Sequence, residues 1–233
     1  MKIIQKTAFI LFAFLLCTSS IFAPLCGIEN HQTQTKSPHY KKVLKKHVLD
    51  MINNGRFDIV AKIFNNDNLF SLFTPKFACK IIDEMIEEVF LIKNIQETRE
   101  NNITSTLKLL IQKGLQKNIL TRSDITNALK ILVEDEEEVF TQEEFMNYIP
   151  GIREVNIVKI LIESGACVEE SLKSATLFPF YQNMLQDVSD FLGLETCSPS
   201  LARQAGYLFK KFDLNPYLIA KAHHQENKAA MLF

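Results

Sequence analysis

The stretch REVNIVKILIESGACV, from Arg153 to Val168, decides the fold class. Five of the six residues from Ile157 to Ile162 are apolar, more than a helix with one wet face carries. Gly165 then supplies the left-handed backbone conformation that ends a helix cleanly. A helix of this kind needs cover on more than one side. It therefore predicts neighbours stacked against it, not a lone helix on a surface.

The same helical spacing extends outward from this stretch. Val43, Leu44, Val48, Leu49, Met51 and Ile52 recur with a helical period and stop at Asn53-Asn54-Gly55. A second helix over IVAKIF follows, with Asp58 as its expected cap, ending in Asn65-Asn66-Asp67-Asn68. Thr74-Pro75 predicts the start of a third, with Thr as cap and Pro in the first turn. Its apolar face runs from Phe77 to Ile92, and Asp83, Glu84, Glu87 and Glu88 take the other side. Asn101-Asn102 reads as an interruption before a helix that ends at Gly114. Ser123-Asp124 reads as the cap of the next helix, and Thr141 with Glu144 as a capping box for another, stopped by Pro150-Gly151. SLKSATLF, FYQNMLQDVSDFLGL and SPSLARQAGYLFKKF complete the set, with Ser198 as cap and Pro199 in the first turn of the last. No stretch alternates convincingly as a strand.

Composition agrees with an all-α chain. The 233 residues are 47% hydrophobic and 23% charged with a formal net charge of −1, which excludes a wholly disordered chain and a nucleic-acid binder driven by bulk charge. Seven glycines are too few for a turn-rich β-sandwich or barrel. The sequence divides into a leader at 1–23, a polar linker at 24–39, a helical domain at 40–222 and a loose tail at 223–233.

The leader has the layout of a secretory signal peptide. Lys2 and Lys6 precede the apolar run TAFILFAFLLC, and Thr18, Ser19 and Ser20 follow. Cleavage at Ala23, Ser20 or Gly27 fits, and an uncleaved membrane anchor is the competing reading. Removal of 1–23 leaves 24 basic against 27 acidic residues, a net charge of −3. Cys26, Cys79, Cys167 and Cys197 would then remain. Export permits a disulfide among them, but their spacing forms no compact framework. Cys79 and Cys167 read as buried free thiols because their neighbours are apolar.

Arg153–Val168 resembles the second helix and exit turn of an ankyrin repeat. Ile157 to Ile162 match the helix, and Gly165, Ala166 and Val168 match the turn. Asn54–Asn68 (NGRFDIVAKIFNNDN) is similar, with Asp67 falling where Gly165 sits and Gly55 twelve positions earlier. Thr106–Gly114 (TLKLLIQKG) is a third match, and ALKILVED at 128–135 a weaker fourth. The matches at Asp67, Gly114 and Gly165 stand 47 and 51 residues apart, against a family period of about 33. The repeats are thus degenerate with lengthened first helices, or belong to another αα-solenoid. The resemblance implies stacked antiparallel helix hairpins. It also implies a non-catalytic, secreted protein-interaction module that binds a protein partner along its turns and first helices.

No residue set points to catalysis, a cofactor or a metal. The acidic run Glu134-Asp135-Glu136-Glu137-Glu138 with Glu143 and Glu144 lacks the glycine and ligand alternation of an EF-hand and reads as a solvated helix face. Lys36, Lys41, Lys42, Lys45, Lys46 and His47 form a basic cluster without a stacking platform for nucleic acid. His223-His224 has no further ligand at metal spacing. Asp83 and Glu87, four apart, read as solubilising carboxylates. Asn102-Ile103-Thr104 is an N-glycosylation sequon, meaningful in a host that modifies exported chains. No small-molecule substrate is predicted, and membrane contact is expected if the leader is retained. An exported all-helical enzyme and a membrane-tethered structural protein are the alternative functions.

Overall fold

Gly165 adopts φ +97°, and the helix before it closes with two bonds that only such a turn permits. The Gly165 N–H donates to the Ile162 carbonyl at 3.0 Å, and the Ala166 N–H to Leu161 at 3.1 Å. Three other turns repeat the pattern, at Gly55 (φ 67°), Asn118 (φ 54°) and His224 (φ 55°). In each, the left-handed residue reaches back three positions and its successor five, satisfying carbonyls that the helix end leaves unpaired.

The computed structural model describes residues 37–91, 97–134, 152–175, 179–194, 199–230 and 232. Among them lie twelve helices and no strand: α1 (Pro38–Asn53), α2 (Phe57–Asn65), α3 (Asp67–Phe70), α4 (Pro75–Leu91), α5 (Glu97–Gln116), α6 (Arg122–Val133), α7 (Ile152–Glu163), α8 (Val168–Ser174), α9 (Pro179–Gly193), α10 (Pro199–Phe212), α11 (Pro216–Ala222) and α12 (Glu226–Ala230). No described helix is long and apolar enough to cross a membrane. The chain divides into two compact units, Met1–Leu44 and Lys45–Phe233. Of the first, the described residues run from Ser37 and open α1 at Pro38.

In the second unit the helices pack in two sets. α4 lies against α6, and α6 against α8; α2 lies against α5, α5 against α7, and α7 against α11. The sets join through α4 on α5 and α6 on α7. The stretch that decides the fold class, in α7, is closely enclosed: Ile157, Val158, Leu161 and Ile162 have no exposed surface. Polar pins hold neighbouring helices in register. The Thr126 hydroxyl on α6 donates to the Arg122 carbonyl at 2.8 Å and accepts the Cys167 N–H at 2.7 Å, at the start of α8. Lys113 on α5 reaches Asp67 at 2.8 Å and the Asn65 carbonyl at 3.0 Å. Lys159 on α7 pairs with Asp213. The solvent-exposed ion pairs among these contribute about 0–1 kcal/mol each and select register more than stability.

The phenylalanines concentrate where short elements must turn. Phe64, Phe70, Phe73 and Phe77 form a chain of ring contacts at 5.1–6.0 Å through α2, α3 and the start of α4. The Lys45 ammonium lies 5.1 Å from the Phe77 ring and donates to Thr74 Oγ1 at 3.4 Å. Aromatic pairs of this geometry contribute about 0.5–1.5 kcal/mol each beyond their burial. They give a four-residue helix such as α3 a fixed seat.

Several local expectations are corrected. α2 begins at Phe57 after Arg56, and Asp58 lies in its first turn instead of capping it. Asn66 ends α2 in an extended conformation and caps α3, so Asp67 opens a helix and does not take the left-handed role of Gly165. α5 runs through Asn101-Asn102 without a break. Gly114 is interior to α5; Asn118 makes the turn. A Cβ at Gly114 would stand 2.5 Å from Leu120 Cδ1, so this glycine admits the folded-back chain instead of bending it. Thr121, not Ser123, caps α6, and its capping box closes on Asp124. Thr74 and Pro75 open α4 as predicted, the Phe77 N–H donating to Thr74 Oγ1 at 3.3 Å. The expected tail contains α12, because Gln225 and Lys228 donate to the Leu192 carbonyl and so satisfy the end of α9. α11 stands as a separate helix because Asn215 caps it, its side chain accepting from the Tyr217 and Leu218 N–H groups, with Pro216 at the first position. The leader, the linker up to 36, the Thr141 capping box, Pro150-Gly151, Ser198, Cys26 and Cys197 lie outside the described residues.

Replacing Gly114 by Ala is expected to lower stability by about 1–3 kcal/mol through overpacking against Leu120. Replacing Gly206 by Ala, in open space within α10, is expected to raise it by about 0.5–1 kcal/mol. Urea denaturation followed by circular dichroism checks both, and equal effects would contradict the close-approach role of Gly114.

Candidate functional site

One groove between α4 and α6 gathers the chemically distinctive side chains. α4 contributes Cys79, Ile82 and Asp83, a stripe at i, i+3 and i+4. α6 contributes Asp124, Asn127, Ala128 and Ile131, a stripe at i, i+3, i+4 and i+7. Each stripe is what one side of a helix presents. Packing α4 on α6 turns them toward a shared cavity of ≈ 120 Å³. Ile131 stays 57% exposed at its rim, an unusual position for a large aliphatic side chain.

The electrostatics divide the two carboxylates. Burial pushes the Asp83 carboxyl up, and the negative charges of Glu87 and Glu84 push it further. Burial acts the same way on Asp124, but hydrogen bonds from the Thr121 hydroxyl and N–H and from the Cys79 thiol outweigh it. That carboxyl lies below its usual range. The Thr121 N–H and hydroxyl donate to Asp124 Oδ2 at 2.8 and 2.7 Å. Burial raises the Cys79 thiol to about 11, helped by the adjacent charges of Asp124 and Asp83. Cys79 is thus a neutral hydrogen-bond donor to Asp124 at pH 7 and a poor nucleophile. Cys79 and Cys167 are both free, and both are half-buried instead of fully enclosed.

Other residues singled out in the sequence do not converge on this groove. His223 is turned inward, with Nε2 buried and without a hydrogen-bond partner. Burial lowers its pKa to about 4, and the positive charge of Arg122 and neighbouring His224 add to the effect against a weak opposing bond to the Ile162 backbone. His224 is exposed and faces Glu226 at 3.8 Å. Among the described residues no group of three or more His, Cys, Asp or Glu could hold a metal ion. Glu134 is exposed just beyond α6, and the rest of its acidic run, with Glu143 and Glu144, lies outside the described residues. Asp83 and Glu87 are both exposed, and of the two Asp83 lines the groove. Asn102 of the sequon is exposed on α5. Lys45 of the basic cluster is half-buried and engaged with Phe77 and Thr74, while Lys46 is exposed.

The groove escaped the sequence reading because each of its helices shows only a mixed stripe. The available signal was Ile131, an isoleucine outside the buried positions of α6. Comparison with known protein families, curated proteins and solved structures finds no match to this chain.

Two measurements follow from these titrations. Because His223 has a folded pKa of about 4, below the ordinary ~6.5, its stabilising contribution is complete above pH 6.5 and is lost as pH falls toward 4. The melting temperature is expected to drop over that window, and NMR should place the His223 midpoint near 4; a midpoint near 6.5 would refute its inward placement. Cys79, with its thiol at about 11, is expected to resist iodoacetamide at pH 7.5 and to alkylate faster as pH rises. Peptide mass spectrometry reads this directly, and rapid labelling at pH 7.5 would contradict a neutral thiol.

Proposed function

We propose that the chain is a secreted, non-catalytic protein-interaction module of the ankyrin-like helical-repeat kind, with the α4–α6 groove as a contact face. The observation that carries this reading is the order of packing. α4, α6 and α8 follow one another on one side, and α2, α5, α7 and α11 on the other. Stacked helix hairpins give that order, because each pair buries its apolar faces against the pairs before and after it. The left-handed closures at Gly55 and Gly165 support it, since they fall at two turns that resemble those of the ankyrin family. The signal-like residues 1–23 support export.

The groove suits a protein segment bearing a long basic side chain. Ile82, Ala128 and Ile131 offer apolar surface to the stem of a lysine or arginine. Asp83 offers a carboxylate whose charge is already disfavoured by burial and by Glu87 and Glu84. A cation from a partner relieves that penalty. The raised thiol of Cys79 supports a binding role over a nucleophilic one.

Panning a displayed random-peptide library on the chain tests the reading. Binders are expected to carry a lysine or arginine beside an apolar residue. Ile131→Asp and Asp83→Lys should each weaken them by about tenfold or more, as loss of an anchoring contact does, with the melting temperature unchanged. Binders indifferent to both substitutions would overturn the assignment of this face.

A further inference from the structure

We infer that α10 is a docking element for an anionic lipid surface, a role separate from the peptide-binding groove. One side of α10 belongs to the core. Ala205, Leu208 and Phe212 are buried, and α10 packs on α9 and α11. Gln204 Nε2 donates to the Asp187 carbonyl at 3.3 Å, and the Phe180 and Phe212 rings meet at 5.8 Å. The helix is therefore held on one side by these contacts.

That other side combines apolar bulk with positive charge. Tyr207 is 46% and Phe209 58% exposed. No described residue among the exposed large hydrophobics is more open than Phe209. Arg203, Lys210 and Lys211 stand exposed on the same helix. Among the described residues, Arg203 and Lys210 have no carboxylate within ion-pair distance. Lys211 is held in place by Asp187 at 3.3 Å and lies 5.0 Å from the Tyr207 ring and 4.5 Å from the Phe212 ring. The nearby acid Asp213 is already paired with Lys159 on α7. The outer face is thus locally cationic on a chain whose overall charge is slightly negative.

Charge and shape together select the occupant. A basic helix face with exposed aromatic rings is the composition that lies in a membrane interface. Phe209 shares one arc of α10 with Gly206, Lys210 and Arg203, whereas Tyr207, two positions away, lies on the far flank; the Phe209 ring enters the boundary between headgroups and acyl chains while the cations beside it meet anionic headgroups. A helix surface is convex and offers no pocket for the side chains of an acidic peptide. Gly206 adds to the fit: it precedes Phe209 by one helical turn and has open space beside it, so the helix can seat flush around the ring.

Sedimentation of the full chain with phosphatidylcholine vesicles, with and without phosphatidylglycerol, tests this. Binding is expected on the anionic vesicles, weakened at high salt. Phe209→Ser is expected to lower affinity by about tenfold, and Arg203→Glu with Lys210→Glu by at least as much, each cation near an anionic surface being worth about fivefold. Variants and wild type share residues 1–36, so the difference between them isolates α10. Circular dichroism should show all of them folded, because the changed side chains are exposed. The chain has no tryptophan, so Phe209→Trp adds a sole indole whose emission should shift to the blue on anionic vesicles only. Equal binding by the variants, an indole that does not shift, or capture of polyglutamate with no binding to vesicles would each overturn the inference.

Discussion

The enclosure of α7 is the constraint on which the rest of the second unit depends. Ile157, Val158, Leu161 and Ile162 spread over a broad arc of about 140° on one short helix, and all four are fully buried. One neighbour cannot cover them. α5, α6, α11 and α4 all touch α7. Burying four such side chains contributes a gross of about 6–12 kcal/mol, comparable to the whole net stability of a typical domain. The polar contacts then act on an arrangement already required by this burial. Lys159 leaves α7 to meet Asp213, and Glu163 accepts the Asn215 N–H at 2.9 Å, so the chain entering α11 is tied to the helix it must cover.

The groove between α4 and α6 is a by-product of the same stacking. α4 buries one side against α5 and α7, α6 packs on α7 and α8, and the two approach each other along a second side. The edges of those second sides, Cys79 to Asp83 and Asp124 to Ile131, are left facing each other across a narrow space. Their titration behaviour follows from the enclosure. Two carboxylates and a thiol line the groove, with no lysine or arginine among the described lining residues, so Cys79 keeps its proton and the Asp83 carboxyl is pushed up. Only Asp124 is relieved, by the helix cap it helps to form. The α10 face differs in origin: it is what remains on a helix that needs only one side for the core.

Helix content was largely legible in the sequence, and helix ends less so. The apolar spacing located α1, α4, α7, α9 and α10 to within a few residues because periodicity reports on burial directly. Caps slipped where two residues of the same chemistry compete. Thr121 and Ser123 can both cap α6, and the choice fell to Thr121 because Asp124 returns the bond at N3. Gly114 departs from the expected helix end for a different reason. A glycine near a helix end signals a left-handed turn, but here it marks the place where Leu120 folds back onto α5. Asn118, whose short polar side chain tolerates positive φ, takes the turn instead. Short helices such as α3 and α12 escaped notice because four or five residues carry too little pattern to show a period.

The sequence by itself determined that the described chain would be helical, that the helix at Ile157–Ile162 would be closely covered and that Gly55 and Gly165 would close helices. These are local properties, set by side-chain spacing and backbone sterics within a few residues. Only the tertiary structure decided that Cys79 would meet Asp124, that Ile131 and Phe209 would stay outside, and that His223 would turn inward. Those outcomes depend on which helix covers which. That choice is made by distant apolar surfaces competing for cover, and no local spacing records it.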